Sequence, residues 1–205
     1  MQRRDAAGAH GGEVPAAPPA VESLDEAQRE RRARIVQAAV GMMLTTEYDR
    51  IQMKDVTAAA GVALGTTYRY FTSKDHLMGE ALLAWSERFP TEPPSWKGRS
   101  VDQLKLAFWL AVRAFEPHPT VYGALVRLQA ATDPPAVAAW QRFSERQLGA
   151  FEGFLPRIAP ERRSQIVLVM SAVLDVELRN WVVGRVPIAH VYRTLDMTAE
   201  LILGD

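Results

Sequence analysis

Two short apolar segments separated by a glycine constrain the fold of this 205-residue chain more than any other feature. The pattern predicts a helix from Met53 to Ala60, a turn at Gly61 and a second helix from Leu64 to Phe71. Glycine suits the turn because it readily adopts the positive φ that follows many helices. Two short helices joined in this way are typical of a helix-turn-helix, whose second helix enters the DNA major groove. An ordinary αα-hairpin with a solvated, tyrosine-rich face is the alternative.

The second helix carries side chains that suit DNA contact. Threonine hydroxyls can donate to phosphate or base edges, tyrosine phenols can donate to phosphate, and arginine offers a planar fork of donors. Gly65 has no Cβ, so the backbone there can approach nucleic acid closely. We predict DNA contacts from nine residues: Arg32, Lys54, Gly65, Thr66, Thr67, Tyr68, Arg69, Tyr70 and Lys74.

Capping signals predict two further helices around this pair. Ser23 and Glu26, three residues apart, form a capping box that opens a long helix ending near Thr45. Ser73 is predicted to cap a fourth helix that ends near Phe89, with positive charge and free amide donors in its first turn. The four helices together predict a DNA-binding domain.

This segment resembles the signature of TetR-family repressors at Gly61-Val62, Gly65-Thr66, Tyr68, Tyr70-Phe71 and Ser73-Lys74. Two positions depart from that signature, because Ala63 and Gln52 stand where the family usually has a capping side chain. Losing a cap costs about 1 kcal/mol, which tertiary packing can offset. The chain is also similar to the KstR-type repressors of steroid catabolism, at Glu26 to Arg32, Gln52-Met53, Tyr68 to Phe71, His76-Leu77 and Leu203-Gly204-Asp205.

Prolines and glycines divide the chain. Residues 1–22 are rich in Ala, Gly and Pro and are predicted to be a disordered tail, followed by the DNA-binding domain at 23–89. Pro90, Pro93, Pro94 and Gly98 mark the junction with a C-terminal domain at 90–205. Its periodicity predicts five helices and no strand, so the fold class is all-α: Val101 to Phe115, Thr120 to Ala131, Pro135 to Leu155, Pro160 to Val183 and Pro187 to Leu203.

Composition excludes several classes of function. The 24 basic and 24 acidic residues give no net charge, which suits a dimer on one operator better than a general DNA-coating protein. No cysteine is present, so disulfides and thiolate metal sites are excluded and a cytoplasmic location is expected. The scattered histidines and the absence of catalytic motifs predict no metal, no cofactor and no enzyme activity. We expect no membrane span, since no run of 18 apolar residues occurs.

The helix from Ile166 to Val183 is apolar nearly all round, so it must be buried on every side. Its own domain can cover one side, and a partner must cover the other. We expect it to form a four-helix homodimer interface with the final helix, whose face carries Val191, Leu195, Thr198 and Leu201. The family resemblance implies the same arrangement, and the central helix of a monomer is the alternative. Within the apolar helix, Asp175 is expected to pair with Arg179 rather than act in catalysis.

Aromatic residues are concentrated in the C-terminal domain, where they are usually core. The resemblance implies a pocket there for a small-molecule effector, and six residues are the candidate lining: Trp109, Tyr122, Leu125, Gln129, Phe143 and Met170. The KstR-type resemblance implies a large apolar effector such as a steroid acid or its coenzyme A thioester, whose carboxylate or phosphates could meet Arg113, Arg127 or Arg142.

Together these features predict a ligand-responsive repressor that binds a palindromic double-stranded operator as a homodimer. Two alternatives are a regulator or activator without an effector, and a helical binding protein without an operator.

Overall fold

The computed structural model describes residues 21–89 and 98–204. The predicted junction at Pro90, Pro93 and Pro94 lies outside the described residues, as does the predicted tail up to residue 20. Within the described ranges the chain forms nine α-helices and two short 3-10 helices without a strand, so the all-α prediction is confirmed.

The first four α-helices are α1 (Glu26–Met43), α2 (Met53–Ala60), α3 (Leu64–Tyr70) and α4 (Lys74–Ser86). The other five are α5 (Ser100–Phe115), α6 (Pro119–Gln129), α7 (Pro134–Gly153), α8 (Pro160–Val182) and α9 (Ile188–Leu203). The 3-10 helices lie at Val21–Ser23 and Tyr48–Arg50.

The cap of α1 differs from the prediction. Asp25 is the N-cap: its carboxylate accepts from the Gln28 amide at 2.8 Å, and the Gln28 side chain accepts from the Asp25 amide at 3.1 Å. Ser23 instead ends the 3-10 helix that precedes it, so the tail predicted for 1–22 is wrong at its last two residues. An aspartate at this position satisfies the first free amides of the helix as well as the predicted serine would have done.

The turn between α2 and α3 follows the sequence. Gly61 has φ 66° and ψ 38°, the left-handed conformation that glycine adopts without a Cβ penalty. Neither Gln52 nor Ala63 makes a side-chain cap, as their deviation from the family signature predicts. The two helices are therefore held by packing, with Val56 and Met53 buried beneath them.

Helix α4 lies at the centre of the molecule. It packs against α1 on one side and against α7 on the other, so it contacts both the long helix of the DNA-binding domain and the C-terminal helices. Its residues Leu77, Met78, Ala81 and Leu82 are fully buried.

Helices α8 and α9 pack against each other and leave an apolar face uncovered. On α9 the buried residues are Val191, Leu195 and Ala199, whereas Leu201 is 85% exposed. The prediction that Leu201 shares the buried face of Val191 is wrong, since ten residues of helix turn Leu201 by about 80° from Val191, away from Leu195 and Ala199 and out of the contact with the domain. The exposed apolar residues of the two helices and the turn between them are Leu168, Val169, Val176, Val182, Val183, Met197 and Leu201.

Candidate nucleic-acid interface and internal cavity

The outer face of α3 is formed by residues that can touch a nucleic acid. Leu64, Gly65, Tyr68 and Arg69 are exposed, and Thr66 is half-buried. Nothing would lie within 4 Å of a Cβ at Gly65, so the backbone there is open to an approaching ligand. Lys54, exposed on α2, adds a second cation to that of Arg69. Five of the nine predicted residues therefore have an accessible side chain or backbone on this unit.

Thr67 and Tyr70 face inward, so the prediction that they face outward is wrong. Thr67 is 0% exposed and its hydroxyl has no hydrogen-bond partner within residues 21–89 and 98–204, while Tyr70 is 7% exposed. A seven-residue helix completes about two turns, so residues three apart share a face and one face must pack on the domain. Here that inner face carries hydroxyl-bearing residues.

Lys74 and Arg32 also point inward, which contradicts their predicted contact with DNA. The Lys74 ammonium donates to the backbone oxygen of Tyr48 at 3.1 Å and lies 4.2 Å from the centre of its ring. The Arg32 guanidinium donates to Glu80 at 2.7 Å and stacks over Phe71. Both cations hold the domain together, because their long apolar stems can be buried while the charge finds an internal partner.

Glu80 joins three helices. It lies on α4, is almost fully buried, and accepts from Arg32 of α1 and from Arg142 of α7. Burial acts to raise the pKa of the Glu80 carboxyl, but the two arginines outweigh burial and hold it below its ordinary value. A buried carboxylate with two cationic donors is fully satisfied, so α1, α4 and α7 are tied by one group.

A second polar contact connects α7 to the turn after α3. Asp133, which precedes α7, accepts from the hydroxyls of Thr72 at 3.0 Å and Ser73 at 2.8 Å. The same Ser73 hydroxyl accepts from the amide of His76, which confirms its predicted role as the cap of α4. The beginning of α7 is therefore bound directly to the end of the helix-turn-helix.

A cavity of about 180 Å³ lies among α5, α6, α7 and α8. Four of the six predicted lining residues form its wall: Tyr122, Leu125, Gln129 and Phe143. A smaller cavity of about 90 Å³ adjoins it and shares Ala111, Phe115, Gln147 and Phe151. Its wall includes Trp85 of α4 and Phe89 just beyond, so the helix that follows the helix-turn-helix in the chain also lines this space.

Trp109 and Met170 do not line either cavity, and for them the lining prediction is wrong. Trp109 lies on the other side of α5 from the residues that face the cavities, which are spaced by three and four: Ala107, Leu110, Ala111, Ala114 and Phe115. There its indole donates to Asp196 of α9 at 2.8 Å. Met170 is fully buried in the core away from the cavity.

The three arginines considered for an acidic effector lie away from both cavities. Arg142 binds Glu80, Arg127 pairs with Asp49 at 2.6 Å, and Arg113 is exposed on α5. The predicted pair of Asp175 and Arg179 is confirmed at 3.1 Å. Sequence reasoning missed that Asp175 also lines the cavity beside Tyr122 and Ser171. The only signal in the sequence was a carboxylate that follows a run of mostly apolar residues, from Ile166 to Leu174.

Comparison with known proteins agrees with this arrangement. Residues 35–81, from α1 into α4, match the profile of the family described as "Bacterial regulatory proteins, tetR family". The chain is 32% identical to the HTH-type transcriptional repressor KstR of Rhodococcus jostii (strain RHA1), over 87% of this chain and 85% of that protein. The chain belongs to the TetR family. It is thus a DNA-binding transcriptional regulator and not an enzyme.

Two solved structures of transcriptional regulators share the fold. A TetR transcriptional regulator from Rhodococcus sp. RHA1 is 25% identical, with a TM-score of 0.71 over 87% of this chain and 97% of that chain. FadR from Bacillus subtilis, solved in complex with stearoyl-CoA, is 16% identical, with a TM-score of 0.60 over 84% of this chain and 98% of that chain.

No group of three or more metal-ligating side chains occurs among the described residues. No helix within the same ranges has the length and hydropathy needed to cross a bilayer.

Proposed function

We propose that this TetR-family regulator is a cytoplasmic repressor that binds a palindromic operator as a homodimer and releases it when an effector enters the cavity. The observation that carries the proposal is that α4 reaches from the helix-turn-helix, which it follows directly, to the wall of the smaller cavity at Trp85. That cavity shares four wall residues with the larger one, in which α7 would contact the effector.

The DNA-binding part of the proposal rests on the outer face of α3. Tyr68 is half exposed and Arg69 lies beside it, where the phenol can donate to phosphate and the guanidinium can reach base edges. Thr66 and Lys54 flank them. In this arrangement α3 lies in the major groove and α2 crosses above it.

The dimer part rests on the uncovered apolar face of α8 and α9. Leu168 is 65% exposed and Val176 is 54% exposed, two turns apart on one side of α8. Met197 and Leu201 extend this surface on α9. A second copy that packs its own α8 and α9 on this face would form a four-helix interface and bury all of these residues. The twofold symmetry of such a dimer would match a palindromic operator.

The effector part rests on contacts of α7 and α4. One side of α7 lines the larger cavity with Trp140, Phe143 and Gln147, and the other side places Arg142 on Glu80 of α4. A ligand that displaces α7 would therefore disturb the position of α4 and, through Arg32, that of α1. Release requires that the ligand bind the displaced arrangement better than the DNA-binding one.

The KstR-type resemblance of the sequence supports a steroid-like effector, and the stearoyl-CoA bound by the structurally similar FadR supports an acyl coenzyme A thioester, so we propose a largely apolar effector. The larger cavity is about 180 Å³, slightly more than an engineered cavity of about 150 Å³ that takes one benzene. The larger cavity would therefore have to widen to admit a steroid. The anionic coenzyme A part of a thioester would stay outside the cavity.

The proposal is tested with DNA from upstream of the protein's own gene. Fluorescence anisotropy should show tight binding to an inverted repeat, a loss of about tenfold or more for Arg69→Ala, and no loss for Arg162→Ala on the far side of the chain. Candidate steroids and thioesters are then added. A regulator or activator without an effector would keep its affinity throughout the panel, and a binding protein without an operator would recognise no repeat.

A further inference from the structure

A cluster of polar groups centred on Asp175 of α8 forms part of the wall of the larger cavity. Gln129 of α6 and the phenol of Tyr122 contact Asp175, and Ser171, one turn before it, adds a hydroxyl. Aromatic and aliphatic side chains make up most of the remaining wall, in which Ser144 and Gln147 of α7 are the other polar residues. A ligand in this cavity would therefore have a largely apolar body and a polar group that meets the Asp175 cluster.

Asp175 has acceptor capacity left for a ligand. The Tyr122 phenol oxygen lies 2.8 Å from Asp175 Oδ1 and 2.6 Å from its backbone oxygen, and Arg179 donates to Oδ2 at 3.1 Å. The Gln129 amide is 3.4 Å from Oδ1. Each carboxylate oxygen can accept two hydrogen bonds, and the side chain is still 33% exposed.

Ser171 has no hydrogen-bond partner among the described residues, although its hydroxyl oxygen is buried. A buried hydroxyl without a partner costs free energy, and a polar atom of a bound ligand would satisfy it. Asp175 and Ser171, four residues apart on one face of α8, thus offer a carboxylate acceptor and an unpaired hydroxyl to the larger cavity.

The charges around the Asp175 cluster restrict the polar group. Among the described residues, no lysine, arginine or histidine lines either cavity, and Arg179 is already paired with Asp175, so a carboxylate or phosphate would meet no cation that is free to bind it. A cationic ligand would compete with Arg179, which already neutralises Asp175.

We propose that the cavity recognises an apolar molecule through a neutral hydroxyl, which donates to the Asp175 carboxylate and accepts from Ser171. This inference deepens the proposed function, because it names the chemistry of the effector's buried end. It assigns Asp175 and Ser171 as the residues that determine specificity.

A matched set of two-ring compounds tests the inference in the absence of DNA. Decahydro-2-naphthol carries the hydroxyl, decalin lacks it, and the corresponding carboxylic acid and amine replace it with a charge. Calorimetric titration of the full chain should give affinities for the alcohol at least about tenfold above the other three, as a hydrogen bond to a charged acceptor predicts. Equal affinities, tighter binding of the acid or the amine, or no binding of the alcohol would overturn the proposal.

Variants separate the hydroxyl contact from general packing. Asp175→Asn and Ser171→Ala should each reduce the preference for the alcohol over decalin by about three- to tenfold and leave decalin binding unchanged. The matched control Asp102→Asn, on α5 away from the larger cavity, should alter neither. If Asp175→Asn does not fold, Ser171→Ala decides alone, because it removes one buried oxygen without a partner to disturb.

Operator binding is measured separately, so the two proposals can fail independently. An alcohol that binds through Asp175 but leaves the operator complex intact would refute the proposed switch and retain the recognition. If acids release the operator and the cavity shows no preference for the alcohol, the proposed switch is retained and the recognition of a hydroxyl is refuted.

Discussion

Gly79 of α4 lies so close to Ala139 of α7 that a Cβ on the glycine would be 2.9 Å from the alanine Cβ. Ala136, also fully buried, continues this contact. Small residues on both helices thus set the distance between α4 and α7.

We expect Gly79→Ala to lower the free energy of unfolding by about 1 to 3 kcal/mol, because the added methyl forces the helices apart. Urea unfolding followed by circular dichroism measures the change. Gly149→Ala in α7 is the matched control, since no atom lies within 4 Å of its Cβ position. That substitution should stabilise by roughly 0.5 to 1 kcal/mol, and an equal loss for both variants would argue against the close contact.

Thr66 and Thr67 are neighbours in sequence with opposite expected roles. Thr66→Val removes a hydroxyl from the outer face and should weaken operator binding by about three- to tenfold. Thr67→Val replaces a buried hydroxyl without a partner, so operator affinity should stay unchanged and stability should hold or increase. Anisotropy with the same operator compares them, and a reversed order would mean that α3 presents its other face.

Glu80→Gln should destabilise the fold by about 3 kcal/mol, because two arginines would lose their buried counter-charge. The pKa of Glu80 is lowered in the folded state, so its contribution is present above about pH 4.5 and is lost as the pH falls through the folded value. Chemical unfolding at pH 7 gives the difference. Asp102→Asn, which removes a surface pair with Arg99, should leave the unfolding midpoint nearly unchanged.

His76 should make stability depend on pH in the mildly acidic range. Burial lowers its pKa below the ordinary 6.5, and the Thr72 amide lies 3.2 Å from Nδ1, to which it donates only when that nitrogen is unprotonated. The unfolded chain therefore binds a proton first, so stability falls as the pH drops below about 6.5 and levels off below the folded pKa. Unfolding at pH 7.5 and 5.5 should show a smaller loss for His76→Asn than for the unaltered protein.

Substitutions that place a negative charge on the uncovered apolar face of α8 test the proposed dimer. Val176→Glu or Leu168→Glu should shift the protein to monomers in sedimentation velocity, since burying two like charges at a symmetric contact is unfavourable. Leu64→Glu, on α3, adds the same charge to another exposed leucine and should leave the association state unchanged. A protein that is monomeric before any substitution would refute the dimer.

The helix-turn-helix could be predicted closely from sequence. The helix Met53–Ala60 ends where predicted because the turn after it needs a positive φ, which Gly61 adopts. Ser73 caps α4 because its hydroxyl reaches the His76 amide. These signals are local, within a few residues of the helix ends they define.

The orientation of side chains could not be predicted in the same way. The inner face of α3 carries Thr67 and Tyr70, whose polar groups resemble those of the outer face, and seven residues are too few for a clear period. Arg32 points inward because of Glu80, 48 residues away along the chain. Asp175 meets Tyr122 across 53 residues, so sequence alone suggested only its near partner Arg179.

Helix α4 begins beside α3 and lines the smaller cavity with Trp85, so one helix connects the DNA-binding surface to the cavities. Thermodynamic linkage requires that any effect of a ligand on operator affinity be matched by an equal effect of the operator on ligand affinity. An effector that weakens operator binding by some factor is itself held more weakly by that factor once the operator is bound. The cellular response would then depend on how many operator copies compete for the protein, and promoters with extra binding sites would need more effector to open.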